Sequence, residues 1–106
     1  MNFLWTREEL LDAMGGRALG ELPAGITGIS IDSRTVKKGE GFFAIKGENF
    51  DGHDFISPAQ LAGAALFVVA EGKLPALGKL TAPFIVVDDV LASLGRLALA
   101  SRARTT

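Results

Sequence analysis

Ser57-Pro58-Ala59-Gln60-Leu61-Ala62-Gly63-Ala64-Ala65-Leu66-Phe67-Val68-Val69 is the stretch that decides the fold class. Its first half reads as a helix start. Ser57 is the cap, Pro58 suits a first turn whose N–H groups have no helical partner, and Gln60 completes a capping box. Ile56 and Leu61 form a hydrophobic staple around that start. Gly63 ends the helix. The run 65–69 is wholly apolar, so it predicts a strand buried on both faces, as in a parallel sheet covered by helices.

Working outward, the same two signals recur. Upstream, Gly41-Phe42-Phe43-Ala44-Ile45 is a second apolar run, and downstream Phe84-Ile85-Val86-Val87 is a third; both predict buried strands. Residues 26–31 alternate, with Thr27, Ile29 and Ile31 on one face and Gly28 and Ser30 on the other, which predicts a half-buried strand. Thr6-Arg7-Glu8-Glu9 has capping-box spacing, Trp5 and Leu10 a staple, and Gly15-Gly16 a stop, so a helix is expected over 7–14. Residues 17–25, with Pro23 and Gly25, read as a loop, and residues 71–82 give no assignment. Asp88 or Asp89 caps a last helix that runs to about Arg104. Its apolar face is Val90, Leu91, Leu94, Leu97 and Ala98, and Arg96, Arg102 and Arg104 make its C-terminal half basic, which suits the dipole. The fold class expected is α/β: a single small domain with a mostly parallel sheet flanked by helices.

Composition narrows the function. The chain has 106 residues, 11 Lys+Arg against 12 Asp+Glu, one His and no Cys. That length allows one domain. Absent cysteine excludes disulfides, a thiol nucleophile and a zinc-thiolate site. A net charge of -1 argues against nonspecific nucleic-acid binding. The longest apolar stretch, residues 64–70, is far short of the roughly 20 residues of a membrane span. Charged residues at 7–9 leave no room for a signal peptide, so a cytoplasmic domain is expected.

Several weak motifs fall away. Gly39-Glu40-Gly41-Phe42-Phe43-Ala44 fits a loose dinucleotide pattern but opens a strand, whereas the pyrophosphate needs a helix N-terminus. Gly72-Lys73 and Gly78-Lys79 are each followed by Leu, so neither is a phosphate loop with its magnesium-binding hydroxyl. Ser33, His53 and Asp51 or Asp54 spell a hydrolase triad, but Ser33 lacks a nucleophile elbow. One imidazole with Asp51 and Asp54 is a poor metal set, since such carboxylates commonly cap turns. No catalytic residue and no metal ligand is assigned.

Two segments stand apart: 29–34, Ile-Ser-Ile-Asp-Ser-Arg, and 43–55, Phe-Ala-Ile-Lys-Gly-Glu-Asn-Phe-Asp-Gly-His-Asp-Phe. Each is a strand running straight into polar residues. If their strands are parallel, both polar ends lie at the carboxyl edge of the sheet, where α/β domains hold ligands. The short link 32–40 makes that parallel pairing an assumption. The groups offered suit recognition. Ser33 can donate and accept, Arg34 and Lys46 can pair with phosphate, Asn49 and His53 can read carbonyls or hydroxyls, and Gly47 and Gly52 allow close backbone approach. The structural reading stands beside it: Asp32 caps the turn, Asp51-Gly52 is a plain turn, and Phe50 and Phe55 anchor the core.

These residues resemble the N-terminal domain of the Mur ligases, the ATP-dependent amino-acid ligases of peptidoglycan synthesis. The likeness spans residues 26–104, from Asp32-Ser33-Arg34 through Lys46-Gly47-Glu48 and Asp51-Gly52-His53-Asp54-Phe55 to Val87-Asp88-Asp89, and departs at Gly41, where the family often has a larger residue. Within the family it is most similar to the member that adds D-alanyl-D-alanine to UDP-N-acetylmuramoyl-tripeptide; the preceding ligase, which adds diaminopimelate or lysine, is the alternative, as is a non-catalytic α/β ligand-binding module. The resemblance implies that Ser33 and Arg34 contact the nucleotide end of that substrate and that Lys46, Gly47, Asn49, Asp51, Gly52 and His53 form or shape the loop beside it. Asp51 is expected to fix the loop, because a carboxylate repels pyrophosphate. The resemblance further implies that residues 1–106 are a UDP-sugar-binding domain, inactive alone and without a cofactor of its own. A central ATP-binding domain and a C-terminal domain would hold ATP, Mg2+ and D-alanyl-D-alanine, and the enzyme would be a monomer.

Overall fold

The computed structural model describes residues 3–45, 51–77 and 83–105. Strand β1 (Trp5–Thr6) leads directly into helix α1 (Arg7–Met14). The capping box expected from sequence forms: Thr6 Oγ1 accepts from the Glu9 amide at 3.2 Å, and Glu9 Oε1 accepts from the Thr6 amide at 2.9 Å. Gly15 ends the helix at φ 68°, a left-handed position that a side chain would strain. Strands β2 (Arg17–Leu19), β3 (Gly25–Ile26), β4 (Ile29–Ser30) and β5 (Gly41–Phe43) follow. A 3-10 turn (Gly52–Phe55) runs into α2 (Ile56–Ala62), then β6 (Leu66–Ala70). A second 3-10 turn (Glu71–Lys73), α3 (Leu74–Leu77), β7 (Phe84–Val87) and α4 (Val90–Thr105) complete the order.

The main sheet has the order β2-β7-β6-β5-β4, and β1 pairs with β3 in a separate two-stranded ribbon. β4, β5, β6 and β7 are mutually parallel, while β2 is an antiparallel edge strand. The α/β class and mostly parallel sheet are therefore as the apolar runs implied. β4 also pairs parallel with β5, which the sequence left as an assumption, and their link holds no helix. Instead a turn at 32–36 and a second at 37–40 reverse the chain twice, with the Val36 amide donating to Asp32 O at 3.1 Å and the Glu40 amide to Lys37 O at 3.1 Å.

Each sheet face carries its own core. Phe43, Leu66, Val68, Ile85 and Val87 meet α1 and α4 residues on one side, among them Leu10, Met14, Val90 and Leu97. Phe42, Phe67 and Phe84 form a row on the other, with ring centroids 6.3 Å and 5.9 Å apart, beside Ile56 and Ala59 of α2. Arg96 of α4 donates to the Met14 carbonyl at 3.0 Å, satisfying an end group of α1.

Four local expectations are corrected. The alternating segment 26–31 is two strands in two sheets, so no single pleat governs it: Ile26 is fully buried while Ile31 is 57% exposed. The loop expected at 17–25 contains β2, whose three exposed residues have no alternation to reveal it. Gly16 lets that strand approach, since a Cβ there would lie 2.7 Å from Ile85 Cγ2 and 2.9 Å from Val86 O. Ser57 is not the cap of α2, which continues from the 3-10 turn and so starts inside helical backbone; the capping carboxylate is Asp51. On α4 the cap is Asp89, which accepts from the Ala92 amide, but Leu91 and Ala98 are exposed and Ser93 is fully buried, its hydroxyl donating to Val90 O at 2.8 Å.

Candidate functional site

The carboxyl ends of β4 and β5 open into a cavity of about 380 Å³, a size suited to a small ligand. One wall is Ile31, Asp32, Ser33 and Arg34, the residues that leave β4; the other sides are Phe42 and Ile45 from the β5 segment and Gly52 and Phe55 from the 3-10 turn. The two segments singled out in the sequence thus meet across one opening. The surface is mostly hydrocarbon and aromatic, with a hydroxyl and a guanidinium at its polar edge.

The turn after β4 is held by its own side chains. Ser30, itself buried, donates from Oγ to Asp32 O at 3.0 Å. Asp32 Oδ1 accepts from the Arg34 amide at 2.8 Å and from Arg34 Nε at 3.0 Å, while Oδ2 takes Arg34 Nη2 at 2.8 Å. These bonds from Arg34 bring the Asp32 carboxyl down to about 2. The Arg34 side chain is still 84% exposed, so the outer edge of its planar fork faces solvent.

The far side of the site is built on a glycine. The Gly52 amide donates to Ile45 O at 2.8 Å, and a Cβ at Gly52 would lie 2.8 Å from Ile45 N and 2.9 Å from Ile45 O. Only glycine fits against that backbone. Behind it, Asp51 Oδ1 accepts from the His53 amide at 3.0 Å and lies 2.6 Å from His53 Nδ1, and Oδ2 takes Lys73 Nζ at 2.8 Å. His53 Nε2 accepts from the Ala70 amide at 3.0 Å. That acceptor role leaves the proton on Nδ1, where it donates to Asp51. Burial works against the Asp51 charge, but the bonds from Lys73 and from the His53 amide and ring hold its carboxyl well below the usual range.

Of the sequence-derived site residues, Ser33, Arg34 and Gly52 line the cavity. Asp51 and His53 lie behind its wall, each engaged with protein groups. With both ring nitrogens used, His53 has none to offer Ser33, and the triad geometry is absent. Lys46, Gly47 and Asn49 lie outside the described residues. Sequence reasoning missed Phe42 and Ile45 as cavity wall, and Phe55 too, which reads from sequence as a core anchor; a strand end can serve both roles. It also missed Lys73, whose pairing with Asp51 spans 22 positions and has no local signal.

A second cavity of about 210 Å³ borders the carboxyl end of β7. Three of its charged groups are engaged with the protein: Arg17 pairs with Glu71 at 3.0 Å and Arg96 bonds the Met14 carbonyl, while Asp88 also lines it. Among the described residues no helix is long and apolar enough to cross a membrane, and no group of three or more His, Cys, Asp or Glu is placed to hold a metal ion.

Residues 25–102 match the family model described as Mur ligase family, catalytic domain. The chain belongs to the Mur ligase family. A UDP-N-acetylmuramoyl-L-alanyl-D-glutamate--2,6-diaminopimelate ligase of Aquifex aeolicus is 45% identical over 73 residues, which are 69% of this chain and 14% of that protein. A UDP-N-acetylmuramoyl-tripeptide--D-alanyl-D-alanine ligase of Synechocystis is 42% identical over 67 residues, 63% of this chain and 14% of that one. Among solved structures, MurF from Acinetobacter baumannii superposes with a TM-score of 0.77 at 32% identity, over 88% of this chain and 20% of that chain. The fold is that of a Mur ligase N-terminal domain, and this chain spans about one seventh of the length of the curated relatives it matches.

Proposed function

We propose that this Mur ligase domain docks the nucleotide end of a UDP-N-acetylmuramoyl peptide during peptidoglycan synthesis. The observation that carries the reading is the cavity where β4 and β5 end, apolar on Ile31, Phe42, Ile45 and Phe55 and polar at Ser33 and Arg34. A pyrimidine base suits the apolar walls, a ribose hydroxyl can bond Ser33, and Arg34 offers two parallel N–H groups to a phosphate. The loop residues Lys46, Gly47 and Asn49 are assigned to the same ligand, while Asp51 and His53 act on it only through the wall.

The whole ligase, in this reading, adds D-alanyl-D-alanine to UDP-N-acetylmuramoyl-tripeptide as a cytoplasmic enzyme. ATP phosphorylates the peptide carboxylate, and the incoming amine attacks that acyl phosphate and expels phosphate. No phosphate-loop motif occurs in the 106 residues, so ATP and Mg2+ are assigned to other parts of the ligase, and this domain alone is assigned no turnover. Support for the D-alanyl-D-alanine reaction comes from the MurF likeness over 88% of the chain. A second reading, the diaminopimelate-adding ligase, is favoured by the 45% identity to the Aquifex aeolicus protein.

Titration of the isotope-labelled chain with UDP-N-acetylmuramoyl-tripeptide tests the docking role. Shifts are expected at Ser33, Arg34 and Gly52, and an unperturbed set there rejects it. Phosphate release by the full ligase, given the tripeptide with D-alanyl-D-alanine or the dipeptide with diaminopimelate, separates the two reactions.

A further inference from the structure

We propose that Lys73 is a positioning residue for the nucleotide cavity, holding its Gly52–Phe55 wall in place through a Lys73–Asp51–His53–Ala70 latch. Its ligand is that of the docking reading above, but the latch itself is a separate matter of geometry. Lys73 does not border the cavity. It sits on the 3-10 turn after β6, and its ammonium is 2.8 Å from Asp51 Oδ2. The other Asp51 oxygen holds the His53 amide and ring, and the ring takes the Ala70 amide at the end of β6. Three consecutive links therefore tie the wall to a buried central strand.

The arrangement also answers an electrostatic need. Asp51 is ionised and its side chain is only 14% exposed, next to a cavity assigned to an anionic ligand. His53 accepts through Nε2 and is neutral in this arrangement, so it does not cancel that charge. Lys73 does. Asp54 also faces Lys73, so the ammonium is the cation of a small acidic cluster. Without it, the Asp51 charge would repel phosphate and its second oxygen would lose its partner.

The test uses Lys73→Met, which keeps length but removes charge, and Lys73→Arg, which restores it. The Lys73 side chain is 37% exposed on a surface turn, so the substitution leaves the core intact. Amide exchange is read at Gly52, His53 and Ala70, with Val68 and Val86 as internal controls, and UDP affinity is read separately. A partly exposed pair of this kind predicts about fivefold faster exchange at the three amides in Lys73→Met, unchanged controls, about fivefold weaker UDP binding, and recovery in Lys73→Arg. Unchanged exchange at Gly52, or a rise shared equally by Val68 and Val86, overturns the latch. If the wild-type chain ignores UDP, the docking reading falls and the exchange comparison alone decides the latch.

Discussion

Arg34 folds back onto Asp32, two residues earlier, with Nε and Nη2 at 3.0 Å and 2.8 Å from the two carboxylate oxygens. The pair fixes the direction of the guanidinium while its outer edge stays in water. Because the folded Asp32 value is about 2 against 3.8 for the free side chain, the bonds are complete above about pH 4 and are lost as pH falls through 2. The expected result is a carbon-detected Asp32 titration with a midpoint near the lower figure, accompanied by the Arg34 amide. A midpoint near the free value would mean the turn is not held this way in solution.

In the docking reading proposed above, Ser33 and Arg34 touch the ligand from the cavity wall, and neither belongs to the two cores. Arg34→Ala should weaken UDP binding about tenfold, the usual scale for a lost charge-assisted bond, and Ser33→Ala should weaken it less. Neither should lower the thermal midpoint appreciably, because Arg34 is 84% exposed. Calorimetric titration beside a melting curve checks both halves. A loss of stability in step with affinity would show that these side chains affect UDP only through the turn that Arg34 helps to hold.

Much of this site was legible because its elements announce themselves locally. Apolar runs marked β5, β6 and β7, and the polar residues that interrupt them marked the sheet's carboxyl edge. The parallel pairing of β4 with β5 was not legible, since a link of two turns leaves no helical periodicity. Segment 26–31 misled because its alternation is real in letters but divided between two sheets. His53 shows the limit for single residues: its type suits ligand contact, yet its neighbours Asp51 and Ala70 take both nitrogens, and only the fold brings Ala70 there.

His53 should therefore matter to stability more than an exposed ligand-reading residue would. His53→Ala removes the partner of the Ala70 amide and one partner of Asp51, and unpaired buried groups cost about 1–3 kcal/mol. A chemical-denaturation midpoint that falls accordingly is the expected outcome; one equal to wild type contradicts the buried network. The linked acid response has a defined sign. The Asp51 carboxyl is depressed in the folded state, so its contribution is present above its ordinary value of 3.8 and declines as pH drops below it.

Two glycines near the site make opposite predictions. At Gly52 an added Cβ would meet backbone atoms, Ile45 N at 2.8 Å and Ile45 O at 2.9 Å, and the chain would have to separate from the end of β5. Gly52→Ala should cost about 1–3 kcal/mol, as overpacking does, and should break the hydrogen bond that the residue 52 amide donates to Ile45 O. At Gly41 the nearest atoms are side-chain ends, Ile26 Cδ1 at 3.1 Å and Leu66 Cδ1 at 3.3 Å, which can move by a few tenths of an ångström. Those two side chains fill the room that a larger residue would otherwise take, and alanine reduces the backbone entropy lost on folding. Gly41→Ala should therefore leave stability within about 1 kcal/mol of wild type and UDP binding unchanged. Denaturation of the two variants side by side checks the pair. Equal losses would contradict the distinction between a backbone wall that cannot yield and a side-chain contact that can.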